Sequence, residues 1–378
     1  MKVNEKRIQI FDIAKGISIT LMTIGRYDFV NIYPYLVQFQ NIVMVLKMPT
    51  FIFISGYLFS NRLNFKHFLY HKIDGLIKPL ISFILSLTLL NIIFYIIVSD
   101  VVTFKDAFGH ITNLTRYFYH GSFDAINVSF WFIGALFLGQ VTLKGFLEIK
   151  EFKKPLNYLL LMAFFLVLFL LNTIKVKFYW TEYIPIFFTY LLLGYSFQRI
   201  SSRFLEGTSF FYSNKMIAFP ILFFLSRFIL NQLNIEIDFN LGGLHYNYHY
   251  LLIVSLLGVF TVLYLCRYIE KIPILNSFFV YCSKASFFIL AYHIFIKNVF
   301  VVLFDFKTYN PLLHTLLFFS NIILCCLIYR FLKKVPFVRI AFYPIKAIVL
   351  NDAEIKLLKS KYINRFIPKD IFLDIVVR

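Results

Sequence analysis

Charge is scarce in this chain: only 15% of its 378 residues are Asp, Glu, Lys or Arg, while 60% are hydrophobic and 20% aromatic. Soluble domains carry about 25% charged residues, so this composition and the mean hydropathy of +0.76 exclude an ordinary water-soluble fold and point to an integral membrane protein. Acidic residues are scarcer still, 19 against 38 Lys plus Arg, for a net charge of +19. In a soluble protein that excess would suggest nucleic acid; here the cations cluster at the ends of apolar runs, which accounts for them without a nucleic-acid partner. Cysteine is rare too: Cys266, Cys282, Cys325 and Cys326 lack C-x-x-C spacing, so neither a disulfide framework nor a zinc site is indicated. His245 and His249 have the spacing of two zinc ligands on a helix, but Tyr246 stands where a zinc protease has its glutamate, and no metal is expected. Period-two alternation is missing, against an outer-membrane barrel. There is also no phosphate-cradling glycine loop and no nucleophile elbow.

What the chain does have is long apolar runs. A bilayer-spanning helix needs about 20 apolar residues, and ten such runs lie near 8–30, 40–60, 76–98, 130–148, 156–173, 183–198, 216–232, 248–267, 279–302 and 311–332. The expected fold is all-α, a polytopic membrane helical bundle of about ten transmembrane helices. Lys and Arg collect before the first run and after the second, fourth, sixth, eighth and tenth, which puts both termini in the cytoplasm. The expected location is the inner, cytoplasmic membrane. The first run lacks a small-residue cleavage site and reads as a retained span. Residues 1–335 form the transmembrane domain. Residues 336–378 read either as a cytoplasmic amphipathic tail lying on anionic membrane lipids or as a solvated extension.

The first run carries charges where each is costly. Lys15 and Arg26 are eleven positions apart, which places them within roughly 20° of each other on a helix and roughly 16 Å apart along it. Asp12 lies only about 60° from Lys15. This co-facial set describes a polar track through the membrane, since ionisable groups inside a span normally face the bundle interior or a wet passage. The alternative is that Asp12 pairs with Lys15 and Arg26 snorkels outward. In the second run, "LKMPTFIFISGYLFS", Lys47 is another cation in apolar surroundings. Pro49 removes an amide from the helix ladder, and Ser55 and Gly56 are small enough for another helix to approach closely. The outer loop ends as "RYFYHGSFDAINVSFWFIGALF". Its aromatic rings, with Trp131 among them, can stack on sugar faces while Arg116, His120 and Asp124 bond hydroxyls; an interfacial aromatic belt is the alternative.

The blocks "FDIAKGISITLMTIG", "MPTFIFISGYLFSNR", "FWFIGALF", "FFTYLLLGYSF" and "CSKASFFILAYHIFI" resemble acyltransferase family 3 of multi-span membrane enzymes, particularly the branch similar to fucose O-acetylases. The resemblance implies an O-acyltransferase that moves an acyl group, commonly acetyl, from cytoplasmic acyl-CoA to a hydroxyl of a surface polysaccharide or lipid-linked glycan. It implies a donor-binding role for Lys15, with Asp12 and Lys47 beside it. Where the family has histidines, this chain has Arg26 and Lys47. A guanidinium is not a base near neutral pH, so the proton acceptor is sought in His293, which matches a histidine of the related block, or in Asp28. Arg26 is left to hold an anion or a developing oxyanion. A degenerate member that passes a glycan or an anion, flippase-like or polymerase-like, is the alternative.

Overall fold

The computed structural model describes residues 9–25, 27, 33–98, 130–151, short pieces between 160 and 170, 183–204, 207–235, 237, 247–304 and 310–358. Among these residues there is no strand. The helices are α1 (Gln9–Ile24), α2 (Val37–Tyr57), α3 (Phe65–Lys72), α4 (Lys78–Val98), α5 (Trp131–Glu151), α6 (Ile184–Phe204) and α7 (Ala218–Gln232). They continue with α8 (Tyr248–Ile269), α9 (Pro273–Lys284), α10 (Ser286–Phe304), α11 (Pro311–Leu332), α12 (Val338–Phe342) and α13 (Asp352–Leu358). Seven described helical stretches are long and apolar enough to cross a membrane: Phe39–Tyr57, Phe65–Ile97, Trp131–Ile149, Asn214–Gln232, Tyr248–Ile269, Ser286–Phe304 and Pro311–Leu332. The chain is therefore an all-α polytopic membrane protein. Most of the expected run 156–173 falls outside the described residues.

The run 279–302 is not one span. It starts inside α9, which ends at Ala285 (φ −90°, ψ 7°), and α10 begins one residue later. At 12 residues, α9 is roughly 18 Å long, too short to cross hydrocarbon alone. Lys284 and Ser286 mark the break in an otherwise apolar stretch.

The chain divides into two compact units. The first comprises Met1–Phe59, Ala163–Val176 and Glu182–Cys326. At its centre α1 packs on α2, α9 and α10 and buries residues around almost its whole circumference, including Ile10, Phe11, Ile13, Ala14 and Ile19, as an interior helix does. Without apolar solvent expulsion to drive association, helices in a bilayer gain chiefly by close packing. Here glycine provides it. A Cβ on Gly16 would fall 1.9 Å from the Phe279 carbonyl oxygen of α9. The α2–α6 crossing is reciprocal: a Cβ on Gly56 would meet the Leu191 oxygen at 2.2 Å, and one on Gly194 the Phe53 oxygen at 2.1 Å. Gly56 is thus the close-approach position expected from sequence, and Gly194 is its counterpart.

The second unit comprises Ser60–Met162, Lys177–Thr181 and Leu327–Arg378. Asn64 caps α3 by accepting the His67 amide at 2.9 Å, and one π-helical turn, Ile73–Ile77, joins α3 to α4. In α5 the nearly inaccessible Lys144 places Nζ 2.6 Å from Asn61 Oδ1 and 3.1 Å from Glu148 Oε1. The segment expected as an amphipathic tail is anchored over residues 337–354. Glu354 is fully buried and accepts from Arg339 Nε at 2.9 Å, from Arg339 Nη2, and from the amides of Phe337 and Asn351 at 2.8 and 2.9 Å. Phe337 sits at φ 60°, a conformation that costs a branched or bulky residue of order 1 kcal/mol and is held by that amide bond. Asp74, in the π-helical turn, accepts the Ile345 amide at 2.8 Å and pairs with Lys78 at 2.6 Å, while Ser82 donates to the Ala341 carbonyl at 2.9 Å.

The Arg339 hydrogen bonds draw the Glu354 carboxyl down from 4.5 to about 2. A folded-state pKa below the unfolded one stabilises fully above the unfolded value and is lost as pH falls through the folded one. Limited proteolysis of the solubilised protein should therefore show the 337–354 segment opening between about pH 4.5 and 2, and Glu354→Gln should open it at pH 7. Identical cleavage patterns for parent and variant across that range would remove the anchor role.

Candidate functional site

Several polar groups of the first unit lie along α1 and beside its carboxyl end. Lys15 directs its ammonium at the Phe51 ring of α2, 5.4 Å from the centroid, so this cation of the opening helix points onto a neighbouring helix. Asp12, one turn before it, is half-buried. Lys47 is 6% exposed; its Nζ lies 2.9 Å from the Met44 thioether and 3.6 Å from where a Cβ on Gly25 would sit. The last turn of α1 has no basic residue of its own. An ammonium placed there by α2 complements the negative end of the α1 dipole, which offsets part of its burial cost. Ser18 on α1 donates to the Lys47 carbonyl, two residues before Pro49, whose missing amide would have served the carbonyl of Val45.

Beyond Gly25 the chain turns, with the Tyr27 amide on the Ile24 carbonyl at 3.0 Å. Tyr27 is buried; its ring meets Phe318 edge-on at 5.3 Å, and Lys297 Nζ lies 5.7 Å from its centroid. Asn321 of α11, 1% exposed, ties this turn to α10. Its Nδ2 donates both to the Tyr27 hydroxyl and, at 2.7 Å, to the His293 carbonyl, while its Oδ1 lies 3.5 Å from Cys325 Sγ.

His293 is buried, with Nδ1 2.8 Å from the Ile289 carbonyl and 3.1 Å from the Leu290 carbonyl. A carbonyl only accepts, so Nδ1 carries the proton of the neutral ring and Nε2 keeps its lone pair. The carbonyl contact that would suit a purely structural histidine is present. It also fixes the tautomer that a proton acceptor requires, so the two roles do not compete.

Of the residues singled out from sequence, Lys15, Lys47 and His293 lie in this unit together with Asp12. Trp131 opens α5 in the second unit, edge-on to Phe132 at 6.1 Å. Arg26, Asp28, Arg116, His120 and Asp124 lie outside the described residues. Sequence reading passed over Tyr27, Lys297 and Asn321. Lys297 has a legible signal, an ionisable side chain one turn beyond His293 on the same face of a span. Asn321 has a fainter one, a lone amide in an apolar run.

The model of acyltransferase family 3, described as an acyltransferase domain, matches residues 8–330. That range runs from the start of α1 to two residues short of the end of α11. No curated protein and no solved structure matches the chain.

Asn321→Leu, close in volume, leaves the Tyr27 hydroxyl and the His293 carbonyl without this donor. The expected cost is about 1–3 kcal/mol, read as a lower thermal midpoint in detergent; an unchanged midpoint would show that the bridge contributes nothing.

Proposed function

This chain belongs to acyltransferase family 3 and is a multi-pass membrane acyltransferase; from there we propose that it is an O-acetyltransferase of the inner membrane, with both termini cytoplasmic. The donor is acetyl-CoA or a related acyl-CoA, and the acceptor is a hydroxyl of a surface polysaccharide or lipid-linked glycan. The observation that carries this reading is His293, a buried imidazole whose Nδ1 is committed to backbone carbonyls and whose Nε2 therefore holds the basic lone pair. As the acceptor hydroxyl attacks the thioester carbonyl, Nε2 takes its proton, the carbon–oxygen bond forms, the carbon–sulfur bond breaks, and the proton passes to the departing CoA thiolate.

The donor is strongly anionic, which suits the two lysines at the α1–α2 contact. Lys15 and Lys47 hold it, and Asp12 orients Lys15. Arg26 steadies charge near the reacting group, since a guanidinium does not accept a proton near neutral pH; Asp28 is the other candidate acid or base. Arg116, His120, Asp124 and Trp131 are assigned to the acceptor, with rings stacking on sugar faces and polar groups meeting hydroxyls. One observation favours a second reading, a catalytically degenerate member that passes a glycan or an anion: arginine and lysine stand at positions 26 and 47, where the family's pattern has histidine.

Purified protein in lipid nanodiscs, given labelled acetyl-CoA and a surface glycan, should label the glycan, and His293→Gln should lower the rate at least about 100-fold with the thermal midpoint retained. Parental rates in His293→Gln would remove the assigned base. Transfer that appears only in Arg26→His would favour the degenerate reading, as would reduced glycan export in a deletion strain with no transfer at all.

A further inference from the structure

Thr50 of α2 is 1% exposed, and its hydroxyl has no hydrogen-bond partner among the described residues. That is unusual for a threonine on a helix, which has an acceptor at hand in the carbonyl four residues back. Thr20, Thr88, Thr189, Thr261 and Thr315 all use that carbonyl, at 2.8–2.9 Å. Thr50 does not. A buried hydroxyl that forgoes its local acceptor is destabilising, and valine, of the same shape, would remove the penalty. Stability of the fold does not account for the hydroxyl.

Its surroundings supply a use for it. Lys47 lies one turn earlier, about 60° round the helix, with its ammonium reaching back toward Met44 and Gly25. Lys15 lies over the ring of Phe51, the residue that follows Thr50, so the hydroxyl sits on the stretch of α2 flanked by the two lysines assigned to the donor. Pro49, just before Thr50, fixes its own φ there.

Resting on the acyltransferase reading above, we propose that Thr50 hydrogen-bonds the carbonyl oxygen of the acyl group being transferred. Attack on the thioester turns that carbonyl into an oxyanion, and a fixed donor in a water-poor site stabilises it without reorganising. No proton leaves Thr50: the acceptor hydroxyl's proton goes to His293, and the oxyanion collapses by expelling the CoA thiolate. Thr50 is thereby assigned as a catalytic residue of the acyl subsite.

The test compares Thr50→Val and Thr50→Ser in the full chain in nanodiscs, with acetyl-CoA as donor. Thr50→Val should lower kcat on the order of 100-fold, leave the KM for acetyl-CoA within about twofold, and leave the thermal midpoint equal or raised. Thr50→Ser should recover most of the rate. A parental kcat in Thr50→Val overturns the assignment while leaving the acyltransferase reading intact. A fall in both kcat and midpoint also overturns it, because the side chain would then matter for packing. If the parent transfers no acyl group from any donor, the acyltransferase reading and this assignment fall together.

Discussion

Inside a bilayer no water serves a polar group, and each one left unserved costs several kcal/mol. That constraint orders the polar chemistry of the first unit. One amide, Asn321, supplies both its hydrogens, to the Tyr27 hydroxyl and the His293 carbonyl. The turn after α1 and the centre of α10 are thereby held by a single side chain. The same logic governs the cations. Lys47 is placed against the electronegative end of α1, and Lys15 and Lys297 lie over aromatic rings, where a cation meets the negative face of the π system.

A second constraint lies in the backbone. Polar side chains can be aligned this closely only because the helices carrying them are in near contact. The reciprocal Gly56–Gly194 crossing fixes α2 against α6, and Gly16 fixes α1 against the short helix α9. Any side chain at these three places would drive the backbones apart by about an ångström or more.

The all-α membrane fold was legible in the sequence because hydropathy reports directly on the solvent, and bilayer thickness sets the length of each run. Break points were less legible. The interruption at Ala285 is one short residue in an apolar run, with no proline or glycine to announce it. The anchored 337–354 segment was hidden for another reason: beside their side-chain partners, Glu354 and Asp74 accept backbone amides distant in sequence, those of Phe337 and Ile345, and composition carries no trace of such pairings. In the site, residues that look anomalous in lipid stood out, namely Lys15, Lys47 and His293. Asn321, Tyr27 and Thr50 did not, since an amide, a phenol or a threonine in a span is unremarkable until its partners are known.

On the reading proposed above, the cations at positions 26 and 47 bear on which group does acid–base work. Ester formation from a thioester needs a group that takes a proton at one moment and gives it up at the next. Arginine cannot alternate in this way, and a lysine beside a helix carboxyl end is suited to holding negative charge. On that reading, a chain with cations at both positions carries out proton transfer elsewhere or not at all. His293 has what relocation requires: one nitrogen committed to backbone carbonyls, a fixed tautomer, and a backbone tied through Asn321 to the residue that follows Arg26. On the reading proposed here the cations keep the task of holding negative charge, and proton transfer passes to the one ring in this network able to alternate between its two states.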